Sequence, residues 1–252
     1  MSDTSPPVER RRRTVGHIVE EAQARAPNYR WVLLWEWPLR SIHWLTALAV
    51  LTLALTGLYV GRPYFMTAPG PTSGFLMGWV RFIHFSAAGL LVAVGMIRVY
   101  IWFFAGNKFE RIGALFPHTR KEFKNLLRQV RTYMLVDLKR RPHYLGHNPL
   151  QQIAYTSIYV LATFQVATGL AMYGLHDPGG FFYDWFFWIG PFLGGWQETR
   201  FLHHVATWGF VIFVPVHIYF AIRSDVVDRN GTMSSIFTGG RYVRDDLSYE
   251  DD

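Results

Sequence analysis

Residues 200–222 read RFLHHVATWGFVIFVPVHIYFAI, and no Asp, Glu, Lys or Arg follows Arg200 until Arg223. A helix needs about 20 apolar residues to cross roughly 30 Å of hydrocarbon, so this stretch predicts a membrane span. It nevertheless carries His203, His204 and His217. Ionisable side chains are costly inside a membrane and are retained there for a purpose. His203 and His217 lie fourteen positions apart. At about 100° and 1.5 Å per residue they share one helix face to within about 40° and stand about 21 Å apart along the axis. His204 falls about 140° from His217 and is the poorer partner for it. A histidine at each of two depths on one face suits two stacked haems, one near each membrane surface.

Working outward, three more apolar stretches of spanning length precede this one: Ser41–Val60, Trp79–Phe104 and Leu150–Tyr173. The expected fold class is an all-α membrane protein, a bundle of four transmembrane helices. The first span carries His43 near its start, and the second carries His84 near its start. Successive spans run in opposite directions, so His43 is level with His217 and His84 with His203. The expected axial pairs are therefore His43/His217 and His84/His203, with these four imidazoles bound to haem iron. Two histidines per iron fill both axial positions, which suits electron transfer rather than oxygen binding. The chain has no cysteine, which excludes disulfides, cysteine-held iron–sulfur clusters and covalent haem attachment. Two non-covalent b haems remain.

Charge sets the expected orientation. The first forty residues hold seven Lys or Arg, residues 105–149 hold ten and residues 223–252 hold four; the opposite side has only Arg62, Arg81 and Arg200. Basic loops stay in the cytoplasm, so both termini and the 105–149 loop are expected there, in a bacterial cytoplasmic (inner) membrane. The organisation reads as a cytoplasmic tail (1–38), a four-helix dihaem domain (39–224) and a second cytoplasmic tail (225–252). Within the long loop, 121–138 alternates basic and apolar positions, with Phe123, Leu126, Leu127, Val130, Met134 and Val136 able to share a face. It predicts a helix lying on the inner leaflet. The lipid bilayer already supplies an anionic partner for these cations, so no nucleic acid is expected. Arg10–Arg13 precede no apolar stretch of signal-peptide type, and no internal repeat is evident.

Several other positions fit the same geometry. Gly57 is fourteen residues after His43 and would leave clearance for a porphyrin, or close helix packing. Arg98 is fourteen after His84 and would pair with a haem propionate or reach the inner headgroups. Arg40, Arg81 and Arg200 each stand three residues before a histidine. They mark the membrane boundary and are candidates for propionate contacts.

Arg40-Ser-Ile-His43-Trp44 with Thr56-Gly57 resembles the first signature of the cytochrome b subunits of membrane-bound [NiFe] hydrogenases. Arg200-Phe-Leu-His203-His204, with Trp208, Phe213 and His217, resembles their second, and Arg223-Ser-Asp-Val with Ser235-Ile-Phe-Thr-Gly-Gly-Arg241 resembles their C-terminal segment. The resemblance covers about residues 36–244; Ser41 departs from it, where a larger apolar residue is expected. It implies a membrane anchor that takes electrons from the iron–sulfur small subunit of a periplasmic hydrogenase, beside that subunit's C-terminal membrane helix. The resemblance further implies that H2 is split in another subunit, with the hydrogenase large subunit a partner, and that this chain itself carries no H2 chemistry. Electrons would pass from outer to inner haem and on to quinone, in a respiratory chain. Related formate dehydrogenase subunits imply a quinone site by the inner haem, at the start of the third span. Asn148 stands there, followed by Pro149, and also suits a helix N-cap; Arg98 and His217 would be its neighbours. The same scaffold could serve a formate dehydrogenase or a thiosulfate reductase. A non-redox membrane protein with structural histidines is the more distant alternative.

Overall fold

The computed structural model describes residues 28–63, 75–117, 119–133, 142–228 and 231–251. Among the described residues, four helices are long and apolar enough to cross a membrane: α1 (Trp37–Gly61), α2 (Leu76–Phe104), α4 (Pro149–Gly174) and α7 (Trp196–Asp228). Each begins up to four residues earlier than its apolar run. The starts have local causes. Pro38 and Pro149 sit in the first turns of α1 and α4, where a missing N–H is harmless and the fixed φ is already helical. Asn148 and Gln151 close a reciprocal capping box on α4. At α1 the Glu110 carboxylate accepts the Glu36 amide at 2.6 Å, placing negative charge at a helix N-terminus. Burial, its first cause, raises the pKa of Glu110.

The helix surfaces suit lipid rather than water. Leu48, Leu51 and Leu55 on α1 and Met96, Tyr100 and Phe103 on α2 are more than half exposed. Large apolar side chains left open along 25–33-residue helices have hydrocarbon as their natural surroundings. Polar contacts bind the helices together. Gln165 on α4 donates through Nε2 to the His203 carbonyl and to Thr207 Oγ1 of α7, both at 3.0 Å. Pro215 lies inside α7 and removes one backbone donor, a loss that membrane helices tolerate.

The last turns of α1 and α4 and the first turns of α2 and α7 lie at one end of the bundle, called here the hairpin end, and the α4–α7 connection crosses it. This connection contains the short helices α5 (Phe181–Phe186) and α6 (Ile189–Phe192), with Phe181, Trp185, Trp188 and Phe192 at least 60% exposed, as an aromatic belt at a membrane interface would be.

The other, terminal end carries a small folded cap that the apolar pattern does not foretell. Strand β1 (Tyr29–Leu33) pairs antiparallel with β2 (Gly240–Arg244), which follows α8 (Thr232–Thr238). The described N- and C-terminal segments therefore meet on the same side. Leu34, Trp35, Leu145 and Val243 form the cap's core. The buried Arg241 donates to the Tyr144 and Leu145 carbonyls and to Thr232 Oγ1, while Asp251 accepts the Leu145 and Gly146 amides.

The surface helix α3 spans Arg120–Tyr133; Met134 and Val136 lie outside the described residues, as do Lys139–Arg141 and 1–27. The buried side chains of α3 are Asn125 and Gln129, whereas Phe123 and Leu127 are open. Asn125 donates to Tyr144 Oη at 2.9 Å. Phe123 and Leu127 thus face away from the protein while Leu126 and Val130 are half-buried, an arrangement suited to lying on a bilayer.

Candidate cofactor-binding site

At the terminal end the rings of His43 (α1) and His217 (α7) have centroids 6.4 Å apart. A metal held between two imidazoles by bonds of about 2 Å each separates the ring centroids by roughly 6 Å, so the spacing suits a shared iron. His217 stacks on Phe213 at 5.5 Å and 13° and meets the edge of Tyr155 at 5.8 Å. Tyr155 in turn contacts His147, and His147 contacts Trp35 of the cap, each at 4.8 Å.

At the hairpin end His84 (α2) and His203 (α7) are each held by a threonine of another helix. Thr56 Oγ1 lies 2.8 Å from His84 Nδ1, and Thr168 Oγ1 lies 2.8 Å from His203 Nδ1. Each hydroxyl has one hydrogen, and each donates it to its own helix: Thr56 to the Thr52 carbonyl at 2.6 Å, Thr168 to the Phe164 carbonyl at 2.8 Å. With the hydroxyl hydrogen on the helix carbonyl, the hydroxyl oxygen accepts from Nδ1–H. That fixes both imidazoles in the tautomer whose Nε2 lone pair is free for a metal. A glycine follows each threonine. A Cβ on Gly57 would stand 3.2 Å from His84 Cε1, and one on Gly169 3.4 Å from His203 Cε1. The glycines are therefore slots in which the rings lie.

His204 is turned elsewhere. A Cβ on Gly61 of α1 would stand 2.8 Å from His204 Nδ1, so this ring packs on the end of α1. Arg98 is buried, with Nε donating to Tyr159 Oη at 3.2 Å and a terminal nitrogen donating to the Glu110 carbonyl at 3.3 Å. Its guanidinium is anchored in protein rather than extended to the headgroups. Arg40 donates to the Phe237 carbonyl and so ties α1 to the cap, while Arg81 and Arg200 are exposed. Asn148 accepts the Gln151 amide at 3.0 Å as the α4 cap.

His147, beside Asn148, is a residue that the sequence reading passes over because it lies outside every span. Burial, then the charges of Arg98, His217 and Arg241, lowers its pKa to about 3, so it is neutral near pH 7. Thr168 and Gly169 also escape that reading. Their signal is the tripeptide Thr-Gly-Leu, which occurs at 56–58 and again at 168–170, once in the first helix of each hairpin.

Among the described residues no three His, Asp or Glu side chains converge on a point. Facing histidines in pairs suit a metal whose other ligands come from a macrocycle, and free Nε2 atoms, ring spacing and glycine slots all fit one. The class so defined is a four-helix membrane protein that carries histidines at both ends of its bundle. A family model described as prokaryotic cytochrome b561 matches residues 34–239, and the chain belongs to that family. A b-type cytochrome implies haem b and membrane electron transfer. The chain is similar to proteins named "Probable Ni/Fe-hydrogenase B-type cytochrome subunit" from Cupriavidus necator (38% identical; 90% of this chain, 93% of the relative) and Azotobacter vinelandii (37%; 90% and 95%). It is 30% identical to "Probable Ni/Fe-hydrogenase 1 B-type cytochrome subunit" of Escherichia coli K12, over 87% of this chain and 94% of the relative.

Proposed function

We propose that this chain is the membrane anchor and electron-transfer subunit of a Ni/Fe hydrogenase working outside the cytoplasmic membrane, and that it passes electrons through two b haems to quinone. The observation that carries this reading is the His43/His217 ring pair at one end of the bundle, with His84 and His203 at the other, each seated on a threonine of a neighbouring helix. The relatives' names supply the hydrogenase. The distribution of Lys and Arg supports a cytoplasmic terminal end; the hairpin end then faces outward, towards the hydrogenase small and large subunits.

The haems, when bound, supply one-electron carriers at two depths. The residues do the rest. His84 and His203 present neutral imidazoles with fixed tautomers, and Gly57 and Gly169 give the rings room. At the inner end His217 packs against Phe213 and Tyr155, which also touch each other. Asn148 and the neutral His147 at the start of α4, with Arg98 bonded to Tyr159 farther along it, would provide polar groups for a quinone head. Arg98 contributes a fixed positive charge there, which favours a reduced, anionic quinone oxygen.

The test compares two activities of the assembled complex. With His84 or His203 replaced by alanine, H2 oxidation with a soluble dye should persist, because H2 is split in another subunit, while quinone reduction should fall at least tenfold. Loss of dye-linked activity in fully assembled complex would overturn the reading.

A further inference from the structure

The two histidine pairs differ at Nδ1, and this difference has a consequence for direction. At the hairpin end both Nδ1–H groups donate to threonine hydroxyls at 2.8 Å. At the terminal end His43 Nδ1 is buried and has no hydrogen-bond partner, and His217 is held by ring contacts. An acceptor at Nδ1–H makes the imidazole more basic at Nε2 and hence a stronger donor to a metal. A stronger donor stabilises the ferric state over the ferrous and lowers the reduction potential.

Resting on the two-haem reading above, we propose that Thr56 and Thr168 are positioning residues that set the hairpin-end haem at a lower potential than the terminal-end haem. Electron flow from His84/His203 to His43/His217 is then downhill by construction. The asymmetry comes from two hydroxyl groups rather than from a change of ligand. Each threonine can play this part because its own proton is committed to its helix carbonyl. The hydroxyl thereby accepts from the imidazole and does not donate to it. Thr168 is 1% exposed, so water does not compete for the bond.

The experiment is an optical redox titration of the full-length chain purified with its haems, in unaltered form and as Thr56→Val, Thr168→Val and the corresponding serine variants. Valine keeps the branched shape and removes the acceptor; serine keeps the acceptor. The unaltered chain should titrate in two components. Each valine variant should shift only the lower one upward, by on the order of a tenfold change in its ferrous-to-ferric ratio, or about 59 mV for one electron, and serine should restore it. His203→Ala, which needs no intact threonine bond, should delete the lower component and spare the upper. Deletion of the upper component instead, or equal shifts of both components in the valine variants, or no shift with haem content intact, would overturn the inference alone. A single component with one haem per chain in the unaltered protein would overturn the two-haem reading and the inference together.

Discussion

The hairpin end and the terminal end of this bundle fix equivalent side chains by different means. At the hairpin end the histidines are held from within the spans, by Thr56 and Thr168 hydroxyls and by glycine slots. At the terminal end they are held by packing: Phe213 and Tyr155 against His217, then His147 and Trp35, then a cap of two strands and a short helix. The difference follows from surroundings. An imidazole within the hydrocarbon finds no water, and here each takes its partner from a neighbouring helix. Near a surface, loops and chain termini can fold over the site and shield it.

The largest effect that would break this comparison is loss of a haem. His203→Ala should remove one of two haems, measured as pyridine haemochrome, and His204→Ala should retain both; equal losses would mean that the ring on Gly61 is a ligand after all.

Orientation comes next. In sealed liposomes with the hydrogenase outward, H2 as donor and quinone in the bilayer, a potential-sensitive dye should report an interior turning negative. Moving each charge inward against 100 mV costs about 2.3 kcal/mol. Rapid quinone reduction without a potential would place the quinone site at the hairpin end.

Arg241→Met should cost about 3 kcal/mol of local stability, because buried carbonyls lose a charged donor. Hydrogen exchange should quicken in 29–33 and 240–244 and remain slow around Thr168. Faster exchange throughout the bundle would show that the cap and the spans are one cooperative unit.

The glycine slots should give a smaller effect. Overpacking typically costs about 1–3 kcal/mol, and Gly57→Ala, at 3.2 Å from His84, should fall at the low end. It should perturb the spectrum of the hairpin-end haem, whereas Gly61→Ala should only displace His204. Identical spectra for the two variants would remove the distinction between the rings.

The smallest effect concerns acid. An imidazole that resists protonation when folded, as His147 does, stabilises the fold above its unfolded pKa of about 6.5 and loses that contribution as pH falls towards about 3. Between pH 7 and pH 5 the cap should loosen, seen in Trp35 fluorescence, with no change in exchange around Thr168.

The amino-acid sequence by itself determined the four spans, because a run of 22 uncharged residues such as 201–222 has few destinations other than a bilayer. It also determined which histidines share a face, since helix periodicity carries His203 and His217 to one side whatever surrounds them. The cap was not legible. Strands β1 and β2 are five residues each and more than 200 positions apart, and neither has a partner until the bundle brings the two termini to one side. The partners of Nδ1 were hidden for a similar reason. Thr56 and Thr168 are unremarkable small polar residues in their own helices, and Arg98 reads equally well as a snorkelling cation. Only the tertiary structure decides that those hydroxyls face His84 and His203, that His43 has no such partner, and that Arg98 bonds Tyr159 and the Glu110 carbonyl. Periodicity fixes where a side chain points along its own helix; what it meets depends on the approach and rotation of the neighbouring helix, which packing alone settles.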